Sequence, residues 1–213
     1  GEPIDLNIIF EDQYIVVINK SAKMVVHPAP GSSSNTVVNA LINLCPEIIS
    51  VGDDPMRPGI VHRLDRDTSG VMVAAKDSES FQFLKMQFMQ REVLKKYHAF
   101  VAGNLKQERG EIIMPIGRHP VKRKKMAIVK EEDGGRYAET LWKVKKICNG
   151  FDFVEVIIKT GRTHQIRVHL KAIGHPVIGD RVYGFRRIRK ESALLSDIES
   201  MTSRQMLQIG RAS

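Results

Sequence analysis

Nine consecutive residues, His62-Arg63-Leu64-Asp65-Arg66-Asp67-Thr68-Ser69-Gly70, gather two carboxylates and two guanidiniums between a turn and an apolar run. Such a cluster is poor core material. Pro58-Gly59-Ile60-Val61 precedes it and Val71-Met72-Val73-Ala74-Ala75 follows, so the charges are expected in a loop that leads into a buried strand. Loops on rigid strands commonly carry chemistry. Asp65 stands between Arg63 and Arg66, and opposite charges close by favour the ionised carboxylate, which makes a reactive anion the functional reading. The bland reading is a polar turn in which Asp65 and Asp67 cap the backbone and pair with surface arginines.

Two further stretches concentrate polar side chains. In Thr160-Gly161-Arg162-Thr163-His164-Gln165-Ile166-Arg167-Val168-His169-Leu170, Thr163 is expected to cap a helix with Ile166, Leu170 and Ile173 facing the core, ended by Gly174 and Pro176. Arg162, His164 and Arg167 would then surround the helix N-terminus, where the dipole favours a phosphate or carboxylate. The densest basic run is Arg118-His119-Pro120-Val121-Lys122-Arg123-Lys124-Lys125. Lys122, Arg123, Lys124 and Lys125 are consecutive cations without an interleaved acid, costly to gather unless an anion passes by. RNA phosphate contact is the functional reading of this run, a solvated loop the alternative.

Lys95 to Gly103 reads as a strand in which Tyr97 alternates with Ala99 and Val101, so its ring points inward or toward a cleft. A core tyrosine is the ordinary outcome of that pattern. Other chemistries fit less well. His164 and His169 are five apart and do not share a helical face, which disfavours a zinc site built with His62 and His175. Gly174 to Gly179 has phosphate-loop glycine spacing, but Asp180-Arg181 follows where Lys-Ser/Thr is needed.

The central stretch resembles the HRLDxxTSG motif of the RluA/RluD-type pseudouridine synthases, matched at every specified position. Lys95 to Gly103 resembles that family's K-x-Y-x-A-x-V-x-G motif, and Gly161 to His169 is similar to its GRxHQ[IL]RVH motif, continued by His175-Pro176, Gly179-Asp180 and Tyr183-Gly184. Asn19 to Pro28 resembles the first motif, usually KPxGxxVHP, with Ser21 and Lys23 where the family has proline and glycine. Proline fixes φ and glycine permits positive φ, so this loop's geometry is where a departure is expected.

The resemblance covers about residues 5 to 185. It implies an α+β fold, with a mixed, largely antiparallel central sheet flanked by helices and loops, as a single catalytic domain over 1–213 without an N-terminal RNA-binding domain. The lack of an initiating Met and the ending Gln208 to Ser213, where the family continues with His-Ala and a core strand, lead to the expectation of a trimmed chain. The resemblance also implies isomerisation of uridine to pseudouridine in RNA without metal or organic cofactor; a non-catalytic RNA-binding module on the same scaffold is the alternative, against which Asp65, Tyr97 and Arg167 stand intact. Asp65 would act at the sugar or the base, by covalent attack or by proton abstraction. Tyr97 would lie against the uracil, and Arg167 would pair with Asp65 and keep it ionised. A uridine within a helix must first be flipped out, at a cost of a few kcal/mol. His62 and Arg63 are candidates to fill the vacated stack; a hydrogen-bonded core histidine is an equal reading of His62.

The rest of the chain has to position these groups. Asn7 to Phe10 and Tyr14 to Ile18 read as strands about a turn at Asp12-Gln13, Thr36 caps a helix to Leu44, and Asp77 or Ser78 caps another to about Arg91. Glu111 to Met114 and Met126 to Val129 read as strands flanking the basic run, and Asn149-Gly150 as the turn of a hairpin. The 33 Lys+Arg against 24 Asp+Glu leave +9, which favours a polyanionic partner; ribosomal RNA is expected, transfer RNA the alternative. Cys45 and Cys148 have no paired spacing, and no apolar run approaches a membrane span, so a cytoplasmic protein is expected, with no membrane partner. A monomer is the expected state.

Overall fold

The computed structural model describes residues 1–184 apart from Pro30, Arg123 and Lys124. Arg123 and Lys124 of the basic run, the basic segment Arg186 to Lys190 and the C-terminal stretch around Arg204 therefore lie outside the described residues. The chain divides into two compact units, Gly1–Val93 and Leu94–Ser213.

In the first unit, β1 (Asn7–Glu11), β2 (Ile15–Lys20) and β3 (Gly70–Ala75) form an antiparallel sheet in the order β1-β2-β3. Asp12 makes the expected turn, its Oδ1 accepting the amides of Tyr14 and Ile15 at 2.8 Å each. Alternation along β2 sends Val16, Ile18 and Lys20 to the buried face. Helix α1 (Val37–Leu44) starts at Thr36, whose side chain accepts from Asn39 N while the Asn39 side chain accepts from Thr36 N. Its Val37 and Leu41 meet Val16, Ile18, Met72 and Ala74 in an apolar interior. Asp77 caps α2 (Ser78–Gln90), accepting Ser80 N at 2.9 Å, and Phe81 is its buried residue.

In the second unit, β4 (Lys95–Ala102), β5 (Arg109–Ile113), β6 (Ile116–Arg118), β7 (Met126–Ile128), β8 (Glu139–Cys148) and β9 (Phe151–Ile158) precede α3 (Gln165–Ala172). Four of them form an antiparallel sheet in the order β4-β9-β8-β5, and β6 pairs with β7. Asn149-Gly150 turns β8 into β9, with Gly150 at φ +81° as a tight hairpin demands. Val101, Ile112, Trp142, Val154, Val156 and Leu170 make the core beneath this sheet. Burying them is worth roughly 1.5–3 kcal/mol per large side chain.

The α+β class and the antiparallel pairing agree with the expectation. Two local readings need correction. The strand expected at Glu111 to Met114 lies at Arg109–Ile113, and the separate strand β6 follows it, so the basic run closes a β6–β7 hairpin. Thr163 does not cap α3; His164, left-handed at φ +56°, precedes the first helical residue. The Gln165 side chain does the local tying instead, its Oε1 accepting from Arg162 N at 2.9 Å. Among the described residues no helix is long and apolar enough to cross a membrane.

Candidate active site

Leu64 is the only buried residue between His62 and Gly70, which pins a loop that is otherwise half-buried or exposed. Two glycines frame this loop. Gly59, at φ +69°, approaches so closely that a Cβ would meet Ala75 O and Ile48, and Gly70, at φ +136°, starts β3. Side chains are disfavoured at both.

The loop is tied down behind its charges. Lys20, 1% exposed, donates from Nζ to Ser21 O at 2.9 Å, Met24 O at 2.9 Å and Arg66 O at 3.1 Å. All three ammonium protons are thereby used. Burial pushes the Lys20 pKa down, while the Asp67 and Asp65 carboxylates push it back up. Thr68 N donates to Asp65 O at 3.1 Å, closing the turn at the candidate carboxylate, whose residue is half-buried.

His62 is built into the scaffold. Its Nε2 accepts from Val73 N on β3 at 3.1 Å, and its ring stacks on Phe88 of α2 at 4.6 Å and 16°. Arg63 is exposed, its Nη1 3.2 Å from His27 Nε2; His27 Nδ1 is 3.0 Å from Pro28 O. Lys23, standing where the family has glycine, adopts φ +71°, the left-handed conformation that a glycine would take without strain.

In the second unit, Tyr97 lies on β4 opposite Val156 and packs, partly buried, against the core with Ala99, as its alternation with Val101 predicted. Arg167 projects from α3 and is held by Asp180, Nε to Oδ2 at 2.7 Å and Nη2 to Oδ1 at 3.1 Å. This fork is the strong form of an ion pair. Burial pushes the Asp180 carboxyl up, but the Arg167 hydrogen bond and the amides of Tyr183 and Val182 outweigh it and hold the pKa below the usual carboxylate range. Arg162 donates from Nε to Tyr137 O at 2.9 Å. His164 Nδ1 is 2.8 Å from the hydroxyl of Tyr183, and the Arg167 guanidinium lies 4.9 Å over the Tyr183 ring. Arg162, His164 and Arg167 thus surround the start of α3, as their spacing predicted.

A buried polar chain supports that end of α3. Gln165 donates to Glu139 O and Thr140 Oγ1 at 2.9 Å each, and its Oε1 accepts from Thr160 Oγ1 at 2.8 Å. His169 Nδ1 lies 2.9 Å from Thr140 Oγ1 and Nε2 2.9 Å from Met114 O. A carbonyl only accepts, so Nε2 carries the proton, and burial lowers the His169 pKa. On the β6–β7 hairpin Lys122 is exposed, and half-buried Lys125 donates from Nζ to Val182 O at 2.9 Å.

Lys20, Asp180 and Tyr183 carry structural duties that the sequence reading did not assign. The period-two pattern Val16-Ile18-Lys20 was the available signal for Lys20. Asp180, preceding two amides that its carboxylate caps, was the signal for the 180–183 turn.

The model of the RNA pseudouridylate synthase family matches residues 14–172. An uncharacterised RNA pseudouridine synthase of Synechocystis is 46% identical over 183 residues, covering 86% of this chain and 56% of that protein. Ribosomal large subunit pseudouridine synthase D of Nitrosomonas europaea is 45% identical over 184 residues, covering 86% of this chain and 51% of that protein. The chain thus spans little more than half the length of these curated relatives. The solved structure of human RNA pseudouridylate synthase domain containing 1 superposes with a TM-score of 0.72 at 26% identity, covering 90% of this chain and 75% of that one. Together with the motifs now placed on β4, on α3 and before β3, these matches establish that the chain belongs to the RNA pseudouridylate synthase family, of the RluA/RluD type.

Proposed function

We propose that this chain isomerises uridine to pseudouridine in RNA, with Asp65 as the reacting carboxylate. The reaction breaks the bond from C1′ to N1, turns the uracil, and forms a bond from C1′ to C5; N1 gains a proton and C5 loses one. The observation that carries the assignment is the Asp65 turn, whose backbone is fastened by Thr68 N and, at Arg66 O, by the buried Lys20 ammonium. A fixed backbone with a partly exposed carboxylate is what a preorganised reacting group needs. Asp65 adds covalently at the sugar or base, or removes a sugar proton; both routes need the same ionised carboxylate. Tyr97 holds the detached base, and Arg167, aimed by Asp180, supplies a fixed positive charge.

Arg63 has the reach of an exposed guanidinium to enter a vacated base stack, whereas the Phe88 stack and Val73 bond favour an anchoring role for His62. Lys122 and Lys125, with Arg123 and Lys124, Arg162 and His164 bind phosphates. Large-subunit ribosomal RNA is the proposed substrate, supported by the net charge of +9 and by the family type. Asp65→Asn tests the reading. Tritium release from 5-tritiated uridine in an unmodified ribosomal transcript should vanish while RNA affinity stays within about twofold, since the carboxylate is not a phosphate contact. Wild-type turnover in that variant removes Asp65 from the chemistry. A wild-type chain active on transfer RNA transcripts alone overturns the substrate.

A further inference from the structure

The turn 180–183 serves two neighbours at once. Asp180 bonds Arg167 through both oxygens, and its Oδ1 also accepts Val182 N at 2.8 Å and Tyr183 N at 3.0 Å. Those amide bonds fix the start of Tyr183, whose ring then lies beneath the Arg167 guanidinium. From the other side, Met126 N donates to the Tyr183 hydroxyl at 2.7 Å, and Lys125 Nζ donates to Val182 O at 2.9 Å. Met126 is the first residue of β7, paired with Arg118 at the loop end of the hairpin that carries the basic run.

An isolated two-stranded hairpin is marginal in water. This one has strands of three residues each, so the placement of Lys122 and Lys125 depends on outside anchors. Tyr183 supplies one from far along the chain. It is 4% exposed and packs with Ile116, Ala138 and Val168, so its ring is a fixed post for both neighbours.

We propose that Tyr183 is a positioning residue with two separable duties, its hydroxyl setting the basic hairpin for RNA binding and its ring setting Arg167 for turnover. The inference rests on the synthase reading of the same site. Because one end of the side chain holds the hairpin and the other face holds the guanidinium, the two duties respond to different substitutions. Tyr183→Phe keeps the ring and deletes the hydroxyl; Tyr183→Leu deletes both. A residue needed only for folding would lower both kinetic constants together or neither.

The test measures KM and kcat for tritium release from the unmodified ribosomal transcript, its Kd by filter binding, and hydrogen exchange at Met126 N. For Tyr183→Phe, which removes the hydroxyl's contacts with both Met126 N and His164 Nδ1, KM and Kd should rise about fivefold to tenfold, the change expected from one or two lost hydrogen bonds on the RNA-binding side, with kcat unchanged and Met126 exchange faster. For Tyr183→Leu, kcat should also fall by about tenfold or more, the scale set by misplacing a group near the reaction. The proposal is overturned if Tyr183→Phe leaves Kd and Met126 exchange at wild-type values, or if it lowers kcat as far as Tyr183→Leu does. Should the leucine variant not fold, the ring-current shift of the Arg167 side-chain protons, retained in Tyr183→Phe, decides the second duty; its loss there overturns it. A wild-type chain that releases no tritium defeats the synthase reading instead, and Kd with Met126 exchange and the Arg167 shift still decides this one.

Discussion

Replacing Lys20 by methionine isolates what the buried ammonium does for the turn that carries Asp65. Methionine keeps an unbranched apolar stem in the space of the lysine chain and removes only the charged head. Three carbonyls, of Ser21, Met24 and Arg66, then lose donors now at 2.9, 2.9 and 3.1 Å in a site where the side chain is 1% exposed. An unpaired buried acceptor costs about 1 kcal/mol at the low end, so the gross loss is about 3 kcal/mol. Against it stands relief of the buried charge, whose cost is visible in the depressed Lys20 pKa. A net loss of about 2 kcal/mol is expected, and urea unfolding followed by circular dichroism measures it at unchanged m-value. Since the Asp65 carboxylate is retained and loses only a nearby cation and one fastening of its turn, tritium release per folded molecule should fall, but far less than in Asp65→Asn. A loss below about 0.5 kcal/mol, the level of an ordinary surface change, would refute the reasoning.

Lys23→Gly relieves a left-handed residue at φ +71° and should raise the thermal midpoint by about 2–4 °C, the scale of 1 kcal/mol for a chain of this size; an unchanged or lower midpoint counts against strain there. His169 is held neutral, so its folded pKa lies below the unfolded value near 6.5. As pH falls below that value the unfolded chain takes up a proton that the folded one refuses, and stability drops by up to about 1.4 kcal/mol per pH unit from this group. Urea melts at pH 7.5 and 5.5 should show that loss, and His169→Gln should reduce the pH dependence by about one proton; an unreduced dependence shows that other histidines cause it.

Much of the fold and of the candidate site is legible in the sequence because its signals are local. The cap at Thr36, the turn at Asn149-Gly150, the alternation that turns Tyr97 inward and the clustering of Arg162, His164 and Arg167 at a helix start each depend on residues a few positions apart. The β6 strand and the left-handed start of α3 were missed for the same reason. Ile116-Gly117-Arg118 is too short to show a period, and the bond from Arg162 N to the Gln165 side chain replaces the threonine cap that the sequence advertised.

What the linear chain determined was the family's motifs, the candidate reacting groups they contain and the local geometry that presents them, since side-chain chemistry and short-range periodicity are written in adjacent residues. What only tertiary structure decided was how those groups are held. Lys20 reaches Arg66 O across 46 positions, and Met126 N reaches the Tyr183 hydroxyl across 57. No spacing rule encodes such bonds, because they form only when packing of the core excludes water and leaves a buried donor to the protein acceptors within its reach.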